Sequence, residues 1–420
     1  MNTKDFPHDK GLDNTLDVLL KEGYAYILNN KEKLDSNVFD TRLLGEKTIC
    51  LTGSEAAELF YDNAKFTRKN AMPNRVLNTL FGQGGVQTLN EEAHRHRKDL
   101  FLPLLSKESI QAFQTIANQQ WKQAIDRWQE EEEIVFYTET QEILTRIACE
   151  WMGIPVEEED YPKLAEDLTN MFEAAAKVGP AHHAGKKSRE KREQWLKDFV
   201  HEIRNGERSI PEQEMLHSFV FHKDLEGKLL SEETVAVEIL NILRPMVAIS
   251  VYMNFVALAL HDFPEQKEKV RQHSKGYQEH FVEEVRRYYP FFPFAGARVK
   301  EDFTWKGYHF PKDTLTLLDL YGTNHDKDLW GDPDAFRPER FEESQDKKYA
   351  LIPQGGGDYA TGHRCPGELV TVEMMRVALD QLVNHMDYTL PEQDLSFSLT
   401  DMPSKPKDLI RMSHIQPRSL

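Results

Sequence analysis

The stretch GGGDYATGHRCPGE, residues 355–368, places a cysteine in a loop of glycines and basic side chains. Cys365 follows His363 and Arg364, and Gly367 comes two residues later. The next residues, ELVTVEMMRVALDQLVNHM, have the apolar spacing of a helix, so Cys365 lies just before a helix N-terminus. Helix-end amides and nearby cations lower the pKa of a thiol. The loop therefore predicts a functional thiolate.

A thiolate in such a loop serves three chemistries: a catalytic nucleophile, a zinc ligand or an axial haem ligand. A zinc site needs further ligands at short spacing, and no second cysteine is near Cys365. A nucleophile needs a histidine base elsewhere in the chain, which the sequence leaves open. Cys50 and Cys149 lie within regular apolar patterns, and we expect them to fill the core.

The composition is that of a globular protein with a sizeable core. The 420 residues are 40% hydrophobic and 29% charged, with a net charge of −18. The acidic excess argues against general binding to nucleic acid and against adhesion to anionic membranes. Three cysteines do not form a secreted disulfide framework, and the first residues lack an apolar signal segment. These features predict a soluble protein of the reducing cytoplasm.

One apolar segment, residues 239–260, is long enough to span a bilayer. Arg244 and Pro245 lie within it. An arginine at the centre of a spanning helix costs roughly 2.5–3.5 kcal/mol. We therefore expect a long helix in a soluble core and no membrane span.

Helical patterns dominate residues 91–254, and strand-like stretches occur at residues 48–53 and 313–322. No linker rich in proline, glycine or serine divides the chain. The pattern predicts a mainly α fold with small β-sheets in a single domain, residues 1–420. The basic run GKKSREKREQW, residues 185–195, is typical of a solvated helix face.

Two motifs upstream of the cysteine loop decide which protein family the chain resembles. FVEEVRRYYP, residues 281–290, carries Glu284 and Arg287 on one helix face, and DPDAFRPERF, residues 332–341, carries Arg340. In this order before a Cys-x-Gly loop, the motifs resemble the cytochrome P450 family over essentially the whole chain. The resemblance implies the cytochrome P450 fold, with haem b between a long distal helix and the proximal loop.

The same resemblance assigns roles to these residues. Cys365 is implied to be the ligand of the haem iron. Glu284, Arg287 and Arg340 are implied to form a buried charge network that braces the loop. The sequence departs from the general family pattern at Asp358, where the usual phenylalanine, seven residues before the cysteine, is absent.

Several stretches resemble one branch, the bacterial fatty-acid peroxygenases: RPMVAIS, EVRRYYPFFPF, LYGTNHD and IPQGGGDYATGHRCPGE. Ordinary family members carry an acid–alcohol pair in the distal helix, whereas Arg244 and Pro245 stand here. The resemblance implies that Arg244 binds the carboxylate of a long-chain fatty acid. That carboxylate would then move a proton between the oxygens of hydrogen peroxide, so a redox partner is not required. The alternative for Arg244 is an ordinary salt bridge within the core.

The branch also implies further site residues and a product. Gln87 stands where alkene-forming members carry histidine, which predicts mainly hydroxylation at Cα or Cβ and leaves room for minor decarboxylation to terminal alkenes. Pro245 is expected to kink the distal helix. Candidates for the alkyl channel are Leu80, Phe81, Phe291, Phe292 and Phe294. Candidates for contact with the haem propionates are His94, Lys98 and His363.

Two rival functions stay open on the sequence alone. The first is a cytochrome P450 monooxygenase that depends on a ferredoxin or flavodoxin for electrons. The second belongs to another class: a haem-binding sensor or carrier without turnover. Both would share the fold and the haem with a peroxygenase. The monooxygenase would differ in its oxidant, and the sensor or carrier would form no product.

Overall fold

A computed structural model of the protein describes residues 3–272, 275–342, 348–359 and 361–418. Its α-helices are α1 Thr15–Asp17, α2 Tyr26–Leu34, α3 Ser54–Phe60, α4 Asn74–Val76, α5 Glu91–Lys98, α6 Lys107–Trp128, α7 Phe136–Met152, α8 Tyr161–Glu173, α9 Pro180–Arg204, α10 Met215–Val220, α11 Glu232–Asp262, α12 Pro264–Gln272, α13 Lys275–Tyr288, α14 Leu320–Asn324, α15 Lys327–Trp330 and α16 Glu368–Asp380. Shorter turns bear on the site: a π turn at Leu77–Phe81 and a 3-10 turn at Val86–Thr88.

The strands are short, as the sequence predicted. They are β1 Val38–Leu43, β2 Glu46–Leu51, β3 Phe66–Thr67, β4 Glu133–Val135, β5 Phe294–Val299, β6 Phe303–Trp305, β7 Tyr308–Phe310, β8 Leu315–Asp319, β9 Met386–Thr389 and β10 Arg411–Pro417. Over the described ranges they form a sheet in the order β1-β2-β8-β5-β3, a second in the order β4-β10-β9, and the pair β6-β7.

The second predicted strand, residues 313–322, ends earlier than expected. Strand β8 stops at Asp319, whose carboxylate accepts a hydrogen bond from the backbone N–H of Gly322 at 2.7 Å. This contact caps α14, so residues 320–322 are helical instead of extended. The first predicted strand corresponds to β2, which pairs in parallel with β8.

Helix α11 is the long apolar helix of the core. Ser231 caps it by accepting a hydrogen bond from the N–H of Thr234 at 3.1 Å, and two glutamates occupy its first turn. By length and composition it could cross a membrane, but 94% of its most apolar window is buried inside the protein. The predicted core helix is therefore confirmed. It is continuous through Pro245, which cannot donate to the carbonyl of Asn241.

The cysteine loop is held between two helices. Helix α13 ends at Tyr288, before Pro290, and α16 begins at Glu368, three residues after Cys365. Helix α16 packs against both α13 and α11. The loop is thus fixed next to the core helix that carries Arg244.

The basic run at residues 185–195 lies on α9, and its predicted exposure is only partly right. Lys186 and Lys187 are exposed, but Arg189 is 2% exposed. Its Nη1 donates to the carbonyls of Thr79 and Leu80 at 3.3 and 3.1 Å. The prediction of a solvated face is wrong at Arg189, because this position faces the π turn at Leu77–Phe81.

Candidate active site

The loop around Cys365 is fixed mainly through its backbone. The N–H of Cys365 donates to the carbonyl of Gln354 at 3.2 Å. Lys98 Nζ donates to the carbonyls of Gly362 and Arg364 at 2.5 and 3.1 Å. Lys98 therefore ties α5 to the loop and holds the residues just before the cysteine.

A second set of contacts fixes the start of α16. Arg364 Nε donates to Glu368 Oε2 at 2.7 Å, and Arg286 forms an ion pair with the same carboxylate. Arg286 also donates to Gln354 Oε1 at 3.1 Å. Glu368 is 2% exposed, and Arg286 and Arg364 hold its pKa below the usual value against the cost of burial. A buried carboxylate with two guanidinium partners holds the loop to α13.

The environment of Cys365 differs from the expectation in one respect. Burial raises the pKa of its thiol, and the Glu368 carboxylate adds to this, although the N–H of Gly367 and the charges of Lys98 and Arg286 lower it. The helix end and the cations therefore do not produce a thiolate by themselves. A metal ion deprotonates a coordinating thiol outright, so this environment suits a ligand whose ionisation depends on iron.

The structure brings Glu284, Arg287 and Arg340 together. Glu284 and Arg287 are both 0% exposed, and the guanidinium of Arg287 donates to the two carboxylate oxygens at 2.8 and 2.9 Å. Arg340 Nε donates to Glu284 at 3.1 Å. The remaining Arg340 donors bind the carbonyls of Trp330, Asp332 and Ala335. The charge network is thus fully embedded in hydrogen bonds.

This network reaches the beginning of the cysteine loop through Asn324. Arg287 Nη1 donates to the carbonyl of Asn324 at 3.1 Å. The side-chain oxygen of Asn324 accepts from the N–H of Ile352 at 2.9 Å. Ile352 precedes the glycines of the loop, so the network fixes the point where the loop begins.

Four basic side chains form a cluster at the loop. The rings of His94 and His363 lie 4.2 Å apart, with Lys98 and Arg68 near them. Burial first, and the neighbouring cations second, lower the pKa of His94 to about 4. Burial lowers the pKa of Lys98 to about 8, although Cys365 and Asp358 act to raise it. None of the four forms an ion pair with a carboxylate of the described residues. Arg68 and Lys98 carry the charge at neutral pH, and the two histidines are neutral hydrogen-bond donors. Such a cluster without a carboxylate partner fits an anionic ligand.

Arg68 was not predicted from the sequence. It is 7% exposed, and its guanidinium lies 4.3 Å from the centre of the Phe60 ring. It stands just after the short strand β3, 26 residues before His94, and no local motif marks it. The sequence does not show that the segment after β3 lies near His363 in the folded protein, which is what brings Arg68 into the cluster.

Arg244 is a buried cation without a counter-charge. It is 4% exposed, and among the described residues it forms neither an ion pair nor a hydrogen bond; its Nε is buried without a partner. Its guanidinium lies 5.6 Å from the centre of the Phe81 ring. Burial and the nearby Arg189 lower its pKa to about 9, while Cys365 is close enough to raise it. The alternative of an internal salt bridge is not what the structure shows.

Gln87 and Asn241 lie next to this arginine. Gln87 is on the turn Val86–Thr88, and its Oε1 accepts from Asn241 Nδ2 at 3.2 Å. Asn241 precedes Arg244 by one turn of α11, and Pro245 follows directly. The structure thus brings Gln87 to the part of α11 that carries Arg244.

The predicted channel residues do not all pack in one apolar cluster. Leu80 is buried in the main core, and Phe81, Phe291 and Phe292 pack against it. Phe292 also packs against the cluster of Phe60 and Leu318. The ring of Phe291 stacks on Tyr252 of α11 at 4.1 Å. Phe294 does not join them, because it lies on β5 and packs against the cluster of Phe39 and Leu317.

Arg189 lies near Arg244, and its place in the site was not predicted from the sequence. Its Nε forms an ion pair with Glu193 at 2.6 Å, but its Nη2 is buried without a partner. Gly82 permits this position, because a Cβ there would approach Nη2 to 2.2 Å. The basic composition of residues 185–195 concealed a side chain whose charge acts on Arg244.

A mainly helical fold, a cysteine loop braced by buried charges and a cation cluster beside it define a haem-thiolate protein. The cytochrome P450 family model matches residues 162–411, and the chain belongs to the cytochrome P450 family. Cytochromes P450 bind haem b. Cys365 would hold the iron through its thiolate, and the charges of Arg68 and Lys98, together with the neutral rings of His94 and His363 as hydrogen-bond donors, would suit the two propionates.

Three solved structures are similar along nearly the whole chain. Cytochrome P450EX alpha (CYP152N1) with myristic acid is 47% identical, with a TM-score of 0.95, and the match covers 99% of this chain and all of that one. Cytochrome P450SP alpha (CYP152B1) with (R)-ibuprofen is 42% identical, with a TM-score of 0.94 and coverage of 97% and 99%. A variant of cytochrome P450 OleT with arachidonic acid is 35% identical, with a TM-score of 0.95 and coverage of 99% and 100%.

Proposed function

We propose that this protein is a haem-thiolate peroxygenase that uses hydrogen peroxide to hydroxylate long-chain fatty acids at Cα or Cβ. The observation that carries the proposal is the uncompensated guanidinium of Arg244, 4% exposed on α11. A substrate carboxylate supplies the missing negative charge. The similar structures with myristic acid, arachidonic acid and (R)-ibuprofen all contain carboxylic acids, which supports the same class of ligand here.

Arg244 is suited to bind a carboxylate in a dry site. With a pKa of about 9 it stays protonated at neutral pH, although burial disfavours its charge. A guanidinium offers two parallel N–H donors to a carboxylate, and such charge-assisted bonds are stronger where water is excluded. Phe81 packs near the guanidinium and limits its orientations. Substrate binding thus relieves the cost of the buried charge.

A carboxylate fixed by Arg244 acts as the acid–base group that the distal helix lacks. It accepts a proton from one oxygen of hydrogen peroxide and returns it to the other. Haem b, bound through Cys365, supplies cleavage of the O–O bond and oxidation of the substrate C–H bond. Because Arg244 fixes the head group, Cα and Cβ are the carbons nearest the chemistry.

Gln87 is proposed to favour hydroxylation over loss of the carboxyl group. Its amide has no pKa in the useful range, so it orients groups by hydrogen bonds and transfers no proton. Terminal alkenes, formed by minor decarboxylation, are a second product of the same site. Hydrogen peroxide supplies the oxidising equivalents, so the reaction needs no redox partner. We also propose that the protein is cytoplasmic.

The direct test is turnover by purified holoprotein with myristic acid and hydrogen peroxide, without a reductase. We expect 2- and 3-hydroxymyristic acid in the wild type, and loss of product in Arg244→Met with the haem content unchanged. Lys187→Gln, which removes an exposed cation from α9, is the matched control and should retain turnover.

The rival functions give different outcomes in the same assay. Product only in the presence of a ferredoxin or flavodoxin system would identify a conventional monooxygenase. Bound haem without product under either condition would identify a sensor or carrier. Either result contradicts the peroxygenase proposal.

A further inference from the structure

A chain of hydrogen bonds leads from α5 through α11 to Gln87. Arg97 Nη1 lies 2.7 Å from Glu238 Oε1, and Asn241 Nδ2 lies 3.1 Å from Glu238 Oε2. The same Nδ2 lies 3.2 Å from Gln87 Oε1. Glu238 is 0% exposed and Asn241 is 7% exposed, so water does not offer alternative partners to these groups. None of these contacts involves Cys365 or Arg244.

The first pair in the chain fixes a negative charge. Burial raises the pKa of Glu238 above its ordinary value, and the donors of Asn241, Arg97 and the backbone of Val86 limit that rise. The ion pair with Arg97 at 2.7 Å is what favours the ionised form. An ionised carboxylate only accepts hydrogen bonds, whereas a guanidinium only donates them. Glu238 therefore has a defined role as an acceptor, held by a permanent cation.

This acceptor decides how the two amides are oriented. An amide presents either its oxygen or its NH₂ group, and the neighbouring groups decide which. Glu238 requires the NH₂ group of Asn241, and the second hydrogen of that nitrogen then reaches Gln87 Oε1. Asn241 Oδ1 is left buried without a donor, which has an energetic cost. The reversed amide would bring its oxygen against the Glu238 carboxylate, which only accepts hydrogen bonds, and this is worse.

Gln87 is consequently held as a donor. Its Oε1 is occupied by Asn241, and its Nε2 makes no hydrogen bond with a described residue. Gly85 permits the close approach, because a Cβ there would lie 2.8 Å from Asn241 Nδ2 and 3.0 Å from Gln87 Oε1. Two N–H groups of Gln87 therefore remain for a ligand near Arg244.

We propose that Arg97 and Glu238 are positioning residues that act through Asn241 to hold Gln87 as a hydrogen-bond donor, and thereby set the ratio of Cα to Cβ hydroxylation. This inference rests on the proposed peroxygenase function. Neither Arg97 nor Glu238 touches the substrate. Their effect is on the direction of one amide, so they act on regioselectivity and leave the carboxylate contact of Arg244 intact.

The test replaces the fixed acceptor by a group of the same shape. In Glu238→Gln the new amide can present either end to Asn241, so Gln87 is no longer restricted to one orientation. We expect the Cα:Cβ product ratio with myristic acid to change at least threefold. The affinity for myristic acid, measured by the shift of the haem absorption band, should stay within twofold. An unchanged product ratio overturns the proposal.

A double-mutant cycle shows whether the effect passes through Gln87. Gln87→Leu removes the amide, and adding Glu238→Gln to it should change the product ratio by less than 1.5-fold. An equally large change in that background would mean that Glu238 acts by another route, which also overturns the proposal. Glu142→Gln, which removes the carboxylate of a separate arginine pair on α7, is the matched control and should leave the ratio unchanged.

A paired variant guards against misfolding, because Glu238→Gln leaves Arg97 without its carboxylate. Arg97→Gln with Glu238→Gln removes both charges together and should shift the ratio in the same way, at wild-type haem content; an unshifted ratio there overturns the proposal. If the wild type makes hydroxy acids but the ratio resists these changes, only the positioning role fails. If the wild type makes no hydroxy acid from peroxide, the proposed function itself fails.

Discussion

Arg287 and Arg244 are both almost completely buried, at 0% and 4% exposure, but the protein surrounds them in opposite ways. Arg287 shares Glu284 with Arg340 and donates to two backbone carbonyls. Arg244 has no carboxylate and no hydrogen bond among the described residues, and burial lowers its pKa to about 9.

The difference separates a structural charge from a functional one. A buried ion pair with all its hydrogen bonds made is tolerated and fixes the elements it joins. A buried charge without a partner destabilises the fold, so it persists where a ligand completes it. The first arrangement holds the start of the cysteine loop, and the second supports the substrate contact proposed for Arg244.

The largest effect is expected from breaking the completed network. Glu284→Gln leaves Arg287 and Arg340 buried without a counter-charge, which should lower the free energy of unfolding by about 3–5 kcal/mol. Urea denaturation of the holoprotein measures this value. Glu226→Gln removes the carboxylate of an exposed pair with Lys228 and should change it by less than about 0.5 kcal/mol. Equal effects of the two variants would show that the network has no special role.

A pH effect is expected beside the same network. Burial, and then the charge of Arg287, lower the pKa of His325 to about 4. Because the folded pKa lies below the unfolded value of about 6.5, the unfolded chain binds the proton first, and stability is lost as the pH falls from 6.5 towards 4. Between pH 7 and pH 4.5 the wild type should lose about 2–3 kcal/mol more than His325→Gln. If the wild type and His325→Gln lost the same stability, the lowered pKa of His325 would not be the cause.

Replacing Arg244, the arginine without a counter-charge, should raise the free energy of unfolding, whereas breaking the Glu284 network lowers it. Arg244→Met replaces a buried charge by an apolar chain and leaves no carboxylate behind, so the free energy of unfolding should rise by about 1 kcal/mol or more. Arg287→Met, the matched control, should lower it, because Glu284 loses its main partner. Thermal unfolding of the ligand-free holoprotein compares the two. A destabilised Arg244→Met would mean that the guanidinium has an internal partner after all.

The sequence revealed the parts of the site that local motifs define. The Cys365 loop, Glu284 with Arg287, and Arg340 are each marked by neighbours a few residues away. Arg68 and Arg189 were missed because their burial depends on segments far away in the chain: the cysteine loop for Arg68 and the turn Leu77–Phe81 for Arg189. Phe294 was a channel candidate together with Phe291, but it lies on β5 and packs against another cluster.

The orientation of charged groups also depended on the fold. The sequence shows that Glu238 and Arg244 are both on the distal helix, but only the structure shows that Arg97 of α5 pairs with the carboxylate of Glu238. The pKa of Cys365 illustrates the same limit. The cations near it were visible in the sequence, whereas the burial that outweighs them was not.

The most direct test of the central claim compares two ligands that differ only in charge. Myristic acid and 1-tetradecanol can be titrated into the wild type and Arg244→Met, with binding followed by the haem absorption band. If Arg244 awaits a carboxylate, the wild type should prefer the acid by about tenfold or more, as expected for a charge-assisted hydrogen bond. Arg244→Met should show no preference. Equal affinity of the wild type for the acid and the alcohol would contradict the account.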